Sequence, residues 1–465
     1  MTKTILVNKE NKIKNNFLNK IQLVKTKNIH NEEIEVEKET LESFYSLCKY
    51  MKEQNIEMGI EAGLRTQTQQ EEIQSKYMAK FGKDYCDIYV ADPGYSEHHT
   101  GLAIDFYIKE AGEYPTDSPE VFKNLSAYET VHKYLKDFGF ILRYPAGKQD
   151  ITGYAYEPWH IRYVGKFVAT IIYENNVTLE EYVNNYSGLI AVNKKKGMTS
   201  FDIVKEISNL FGIKKVGHTG TLDPLAEGVL IVAIGKATKV VELVTGTYKE
   251  YIAEAKLGIR TDTRDITGNI IEKCDEIDTN NLTNIVKSFQ KTYLQEVPIY
   301  SAVKVNGKKL YQYARENEEV ELPKKEVTVK NIELLEHKED LLKIKTTVSK
   351  GTYIRSLIDD IGEKLGCHAT MQNLIRTKQA NINIEEAFTL NEIRNNNFKL
   401  LSIDYVLDYP IEIIDNELER KIRTGQQIKN TFNIVDKVIF KSKTGKLLGI
   451  YEAAGTNLKT WKNFV

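Results

Sequence analysis

The sequence predicts an α+β protein of several domains, and three observations lead there. Its 465 residues are more than one ordinary core organises. The stretch before about Asn185 alternates helical and strand periodicities, whereas the chain beyond Gly188 turns to period-two strands. The last residues, from about Ile411, read as a small β-module.

Taken in order, Leu41, Phe44, Tyr45, Cys48 and Met51 recur every three or four residues and give one apolar helix face. Ile56, Met58 and Ile60 alternate as a strand. A second helix is expected over 126–138, ended by Gly139 and followed by the strand Phe140–Leu142. Thr178 and Glu181 form a capping box, because the hydroxyl and the carboxylate can each take one of the free N–H groups at a helix start. Asn184 to Gly188 is a polar, turn-rich junction. Beyond it Leu342, Ile344, Thr346 and Val348 alternate with polar residues as a half-buried strand, and a helix runs from Tyr353 to Leu365. Val438–Phe440 and Leu447–Tyr451 flank Lys443 to Lys446 as a hairpin.

Hydrophobic residues at 41% and charged residues at 28% describe a globular chain rather than a disordered or membrane one. No run of about 18 apolar residues occurs, and the first residues lack a secretory pattern, so the cytoplasm is the expected compartment. Cys48, Cys86, Cys274 and Cys367 are scattered without a CxxC pair. That argues against a disulfide framework or thiolate zinc site and predicts small buried hydrophobes. Charge is uneven: residues 1–186 hold 22 basic against 28 acidic side chains, and residues 187–465 hold 42 against 37. A mildly basic second part is compatible with a polyanionic partner.

The stretch GHTGTLDPLAEGVL, 217–230, packs three glycines and a proline around one carboxylate, Asp223. Pro224 restricts Asp223 to extended backbone, which presents the side chain instead of winding it into a helix. An isolated Asp-Pro would be an Asx-turn residue. This loop, however, resembles the catalytic loop of TruB-type tRNA pseudouridine synthases. SGLIAVNKKKGMTSFDIV, YKEYIAEAKLGIRTDTRDITG, VPIYSAVKVNGKKLYQYAR and SKGTYIRSLIDDIG are similar to further blocks of that family, in its order. Lys195 stands where the family usually has proline.

The resemblance implies a mixed domain over 187–400 built on a large, mostly antiparallel sheet, and a small RNA-gripping β-domain over 401–465. It implies isomerisation of the uridine at position 55 in the T-arm of transfer RNA, with Asp223 as nucleophile. An aspartate is ordinarily ionised at neutral pH, so this chemistry asks for no cofactor. By the same likeness Tyr251 stacks on the target base, and Arg355 pairs with the catalytic aspartate in a fork. Tyr353 is a second pocket residue, His218 wedges into the RNA loop, and Asp265 belongs to the active-site region. Lys194, Lys195, Lys196, Lys304, Lys308, Lys309 and Arg315 are candidate phosphate contacts.

Earlier in the chain, SEHHTGLAID and EPWHIR place His98 seven residues before Asp105 and Glu157 three before His160. Two imidazoles and one carboxylate are a catalytic-type zinc set that leaves a position for water, and the second carboxylate can act as its general base. The pattern resembles VanY-type D-alanyl-D-alanine carboxypeptidases. That likeness implies a small α+β zinc peptidase over residues 1–180, acting on a peptide or dipeptide ending in D-alanine. His98, Asp105 and His160 would be ligands, Glu157 the base, Arg65 a substrate clamp, and Ser96 a neighbour of the substrate carboxylate. His99 is the local competitor for a ligand role. The alternative to a bifunctional enzyme is a non-catalytic RNA-binding module with a peptidase-derived scaffold. Asp223, Tyr251 and Arg355 argue against the first half of that alternative, and Glu157 against the second.

Overall fold

The computed structural model describes residues 3–110, 112, 114, 125–407 and 409–464. The chain divides into two compact units: Met1–Tyr186 with Glu206–Lys215 and Arg394–Asn397, and Ser187–Lys205 with Val216–Ile393 and Phe398–Val465.

In the first unit, four antiparallel strands run in the order Met58–Ala62, Ala103–Ile108, His160–Tyr163, Phe140–Leu142. Along Ala103–Ile108 the side chains of Ile104, Phe106 and Ile108 enter the core with Phe44, Leu47 and Met51 of the helix Lys38–Glu53. Asp105 lies on the opposite face, since successive strand residues point to opposite sides. The register then sets Asp105 directly across from His160. The helix expected over 126–138 is broken. It runs Leu125–His132, passes a turn, and resumes as a short 3-10 segment Leu135–Phe138 that ends on Gly139 at φ +81°. The Thr178–Glu181 capping box is present.

The second unit is built on a nine-stranded sheet. Its main path runs Thr292–Glu296, Lys324–Lys338, Leu341–Val348, Lys249–Leu257, Ala369–Gln379, Glu227–Ile234, Gly188–Lys194. All of its pairings are antiparallel except that of Ala369–Gln379 with Glu227–Ile234, so the sheet is mixed and mostly antiparallel as expected. The helix Ile354–Leu365 starts at Tyr353 and packs on Ala369–Gln379. A five-stranded sheet ends the chain, with the expected hairpin realised as Lys437–Lys441 and Leu447–Ala454. One of its faces adds Ile439, Ile450 and Phe464 to the core of Leu189, Val229 and Ile231. The other packs Phe440, Leu448 and Tyr451 on Ile422 of the helix Asn416–Arg423. Cys86 and Cys367 are buried, whereas Cys48 and Cys274 are only partly so.

Candidate active sites

Asp223 sits in the loop between the strands Val216–His218 and Glu227–Ile234, which pair with each other. Its carbonyl accepts the Ala226 N–H at 3.0 Å, a β-turn with proline at the second position, where the ring pre-sets φ. Leu222 and Leu225 on either side are buried, and the Leu222 backbone is pinned by Ser200 Oγ. Because its neighbours are anchored inward, the carboxylate is left 37% exposed. Of the three glycines, Gly228 is the one that requires its type: φ is +101° and a Cβ would lie 2.2 Å from the Arg376 carbonyl oxygen.

Arg355, in the first turn of Ile354–Leu365, places Nε 2.9 Å from Asp223 Oδ2. Its other nitrogens donate to the carbonyls of Thr263 and Tyr300, each at 3.0 Å, and Nη1 lies 3.8 Å from Asp265 Oδ2. The expected fork on Asp223 is thus a single contact, because the guanidinium is divided among three partners. Asp265 is buried and accepts from Thr263 Oγ1 and the Thr267 N–H at 3.0 Å. The Tyr353 phenol feels Asp223 and Arg355; burial first, and then the Asp223 carboxylate, push its pKa up. His218 Nδ1 accepts the Gly220 N–H, and burial, with help from Arg376, holds its pKa below the ordinary value.

Tyr251 is buried, with its hydroxyl 3.4 Å from Arg376 Nη1. Arg376 was not singled out by any sequence pattern. It is fully buried and ties three parts of the site together, donating also to the carbonyls of Val229 at 2.6 Å and Gly220 at 3.1 Å. Lys194 corrects its reading as a phosphate contact. It is buried and its ammonium donates to the carbonyls of Lys195, Met198 and Ala226, which braces the turn beside Asp223. Lys308 likewise is engaged by Glu316 and Glu318.

In the first unit, His98, Asp105 and His160 bring one potential ligand atom each within 4.8 Å of one another. His98 Nδ1 donates to the Gly63 carbonyl at 2.8 Å, which fixes the tautomer with a lone pair on Nε2, 3.0 Å from Asp105 Oδ2. His160 Nδ1 is 2.8 Å from Asp105 Oδ1. Its Nε2 faces the fully buried Glu97, with Oε2 at 3.7 Å, and Glu97 is itself held by Arg143 and Arg162 at 2.7 and 2.6 Å. Such an outer carboxylate orients a ligating imidazole, a role that sequence reasoning left unassigned although Glu97 adjoins His98. Two imidazole nitrogens and a carboxylate converging in this way fit a tetrahedral zinc ion. His99 is excluded as competitor: Nε2 accepts the Gly94 N–H and Nδ1 bonds the Arg65 carbonyl, so both nitrogens are occupied.

Glu157 is buried, with Oε2 3.9 Å from His160 Nδ1, and burial reinforced by Asp105 raises its pKa to about 8. Arg65 bonds Gln70 at 2.9 Å and reaches within 3.9 Å of Asp105. Ser96, Arg65, Glu157 and the three candidate ligands line one cleft of about 360 Å³.

The two sites define a chain that joins an RNA-uridine-isomerising enzyme fold to a metallopeptidase-type domain. Residues 208–354 match the TruB family pseudouridylate synthase N-terminal domain, residues 355–407 the tRNA pseudouridylate synthase B C-terminal domain, and residues 33–166 the D-alanyl-D-alanine carboxypeptidase family. The chain is 40% identical over 283 residues to tRNA pseudouridine synthase B of Caldanaerobacter subterraneus subsp. tengcongensis, covering 60% of this chain and 99% of that one. The Bacillus licheniformis tRNA pseudouridine synthase B is 39% identical over 286 residues, covering 57% and 93%. A solved vancomycin-resistance D,D-pentapeptidase, VanY, in complex with Zn(II) is 30% identical, covering 40% of this chain and all of that one, with a TM-score of 0.33. The chain belongs to the tRNA pseudouridine synthase B family and carries a VanY-type domain in front.

Proposed function

We propose that the chain converts uridine 55 in the T-arm of transfer RNA to pseudouridine with Asp223 as nucleophile. We propose further that its first domain is a zinc-dependent D-alanyl-D-alanine carboxypeptidase. The functional division is 1–180, 187–400 and 401–465.

The observation that carries the first reading is the Arg355–Asp223 contact at 2.9 Å, made by a guanidinium whose remaining nitrogens are held by carbonyls. The reaction breaks the C1′–N1 bond and forms a C1′–C5 bond; N1 gains a proton and C5 loses one, so no net charge is transferred. A covalent carboxylate divides this into two easier steps. The base must first leave its stack, and Tyr251, Tyr353 and His218 are the side chains proposed to receive it. The exposed Asp223 with anchored flanks suits an attack outward from the loop. Asp223→Asn should abolish pseudouridine formation and leave transfer RNA binding within about threefold. Turnover at the native rate would remove the nucleophile assignment.

The peptidase reading rests on the convergence of His98, Asp105 and His160 beside Glu157. A zinc ion held there would polarise the scissile carbonyl and lower the pKa of water. Glu157, buried beside the three candidate ligands, takes the water proton and passes it to the leaving amine. Arg65 and Ser96 hold the terminal carboxylate of the peptide. Transfer RNA sets the compartment as the cytoplasm, so the peptides in question are precursors or dipeptides found there.

A further inference from the structure

Arg264 stands between Thr263 and Asp265, two of the groups that the Arg355 guanidinium addresses. Its backbone is left-handed, at φ +59°, and is held so from both sides: the Arg264 N–H donates to the Thr261 carbonyl at 3.1 Å, and the Arg264 carbonyl accepts the Met371 N–H at 3.2 Å. Glycine or asparagine takes this conformation with less strain, and most of the other described non-glycine residues at positive φ are asparagines. Arginine has no such aptitude, so the position asks for its side chain. All three guanidinium nitrogens are engaged. Nη1 donates to Ser356 Oγ at 2.8 Å and Nε lies 3.1 Å from Asp359 Oδ2, both on the helix Ile354–Leu365 that carries Arg355. Nη2 donates to Glu296 Oε1 at 2.5 Å, at the end of the strand Thr292–Glu296, and Ser356 Oγ in turn donates to the Glu296 carbonyl at 2.9 Å. With its side chain 12% exposed and so occupied, Arg264 is not free to meet a phosphate.

We infer that Arg264 is a positioning residue of the synthase site: it fixes the turn 261–268 to the helix, so that the Thr263 carbonyl and the Asp265 carboxylate steer Arg355 onto Asp223. The inference rests on the Arg355–Asp223 reading of that site. The two arginines form a reciprocal clasp. Arg355 reaches from the helix to the turn, at 3.0 Å from the Thr263 carbonyl and 3.8 Å from Asp265 Oδ2. Arg264 reaches from the turn back to the helix, at Ser356 and Asp359. An acceptor aims a guanidinium only as well as the acceptor itself is held. The backbone bonds of Arg264 and Ile266 to Met371 tie the turn to the strand Ala369–Gln379, whereas the Arg264 side chain ties it to the helix. Removing that side chain leaves the strand bonds in place, and Asp359 keeps Arg260 at 2.8 Å, so its buried charge stays paired and the fold is kept. What is lost is the aim of Arg355 and not a grip on the RNA.

The test combines Arg264→Gly and Arg355→Lys in the full chain, separately and together. Tritium release from C5-labelled transfer RNA is followed over a range of RNA concentrations, at a temperature where circular dichroism shows every variant folded. Arg264→Gly alone should lower kcat about tenfold and move KM for transfer RNA less than about twofold, because it misdirects a reacting group without touching the RNA. Made on top of Arg355→Lys, it should lower kcat less than about twofold further, since the clasp it serves is already open. An equal loss in both backgrounds would show that Arg264 acts without Arg355 and overturns the inference, as would a native kcat in Arg264→Gly. If the glycine variant does not fold, Arg264→Asn, which also suits a φ of +59°, takes its place under the same criteria. Asp223→Asn is the separate control. Native turnover there removes the nucleophile reading, and the non-additivity of the two arginine substitutions still decides the role of Arg264.

Discussion

Arg355→Lys keeps the positive charge at the synthase site and removes the shape, so it separates the two things a guanidinium offers. In the native chain three nitrogens serve three acceptors in different directions: Asp223 Oδ2 at 2.9 Å and the Thr263 and Tyr300 carbonyls at 3.0 Å. A lysine ammonium on a shorter, flexible stem can reach one of these groups, or two with distortion. The side chain is only 6% exposed, so water does not freely replace the lost donors. Each carbonyl left bare in such a site costs about 1–3 kcal/mol, and one recovered contact offsets part of that, leaving a net loss of about 2–4 kcal/mol. For a unit of this size each kcal/mol lowers the melting temperature by about 2–4 °C, so a fall of about 4–16 °C is expected. Losing the fixed aim of Asp223 should lower kcat about a hundredfold, with KM for transfer RNA little changed, because the residue orients a reacting group and does not grip the RNA. The assays are steady-state tritium release from C5-labelled transfer RNA over a range of RNA concentrations and a thermal melt on the same preparation. Native kcat together with a native melting temperature would refute the three-way bracing and leave charge alone as the function of Arg355.

Gly228→Ala should destabilise the second unit by more than about 2 kcal/mol, since a Cβ there meets the Arg376 carbonyl at 2.2 Å in a φ of +101°; a calorimetric melt equal to native would contradict it. Glu157→Ala should keep one zinc per chain by atomic emission and lose hydrolysis, whereas loss of the metal would make Glu157 a ligand. Glu97→Gln should weaken zinc affinity about 10- to 100-fold while His160 stays in place, checked by competition with a chelator. Asp360 is raised to about 6, by burial first and by Asp359, against the Tyr293 hydroxyl and the Arg264 charge that lower it. Its folded form therefore binds more proton than the unfolded chain between about pH 4 and 6, so its contribution to stability is full below about 4 and is lost as pH rises through 6. Asp360→Asn should flatten that slope in urea titrations across the window, and an unchanged slope would refute the assignment.

Much of both sites was legible because their chemistry is local in sequence. Asp223 lies between two anchoring leucines and before a proline, and its outward carboxylate follows from that order of residues. The seven-residue spacing of His98 and Asp105 was equally readable, as the 3-10 turn Glu97–Thr100 and a strand of alternating faces bring them together. What stayed hidden depends on register across the sheets. Arg376 in the LIRTKQ strand reads as one more polar residue, and its importance comes from the parallel pairing that sets it beside Gly228. Lys194 sits in a run of three lysines that looks solvated, yet the last residue of its strand turns inward under the Ala226 carbonyl. The break between His132 and Leu135 lacks a proline or glycine, so local propensity had no means of marking it.

The two proposed carboxylates illustrate how environment divides one functional group between two tasks. Glu157 is buried beside Asp105, with His160 Nδ1 at 3.9 Å, and burial raises its pKa. Asp223 lies 2.9 Å from the Arg355 guanidinium and is 37% exposed, an arrangement that aims the carboxylate and keeps it within reach of a substrate arriving from outside. The buried cations of the second unit fit the same logic. Arg376 and Lys194 are capped by carbonyl oxygens, so each braces the backbone of the loop that carries Asp223.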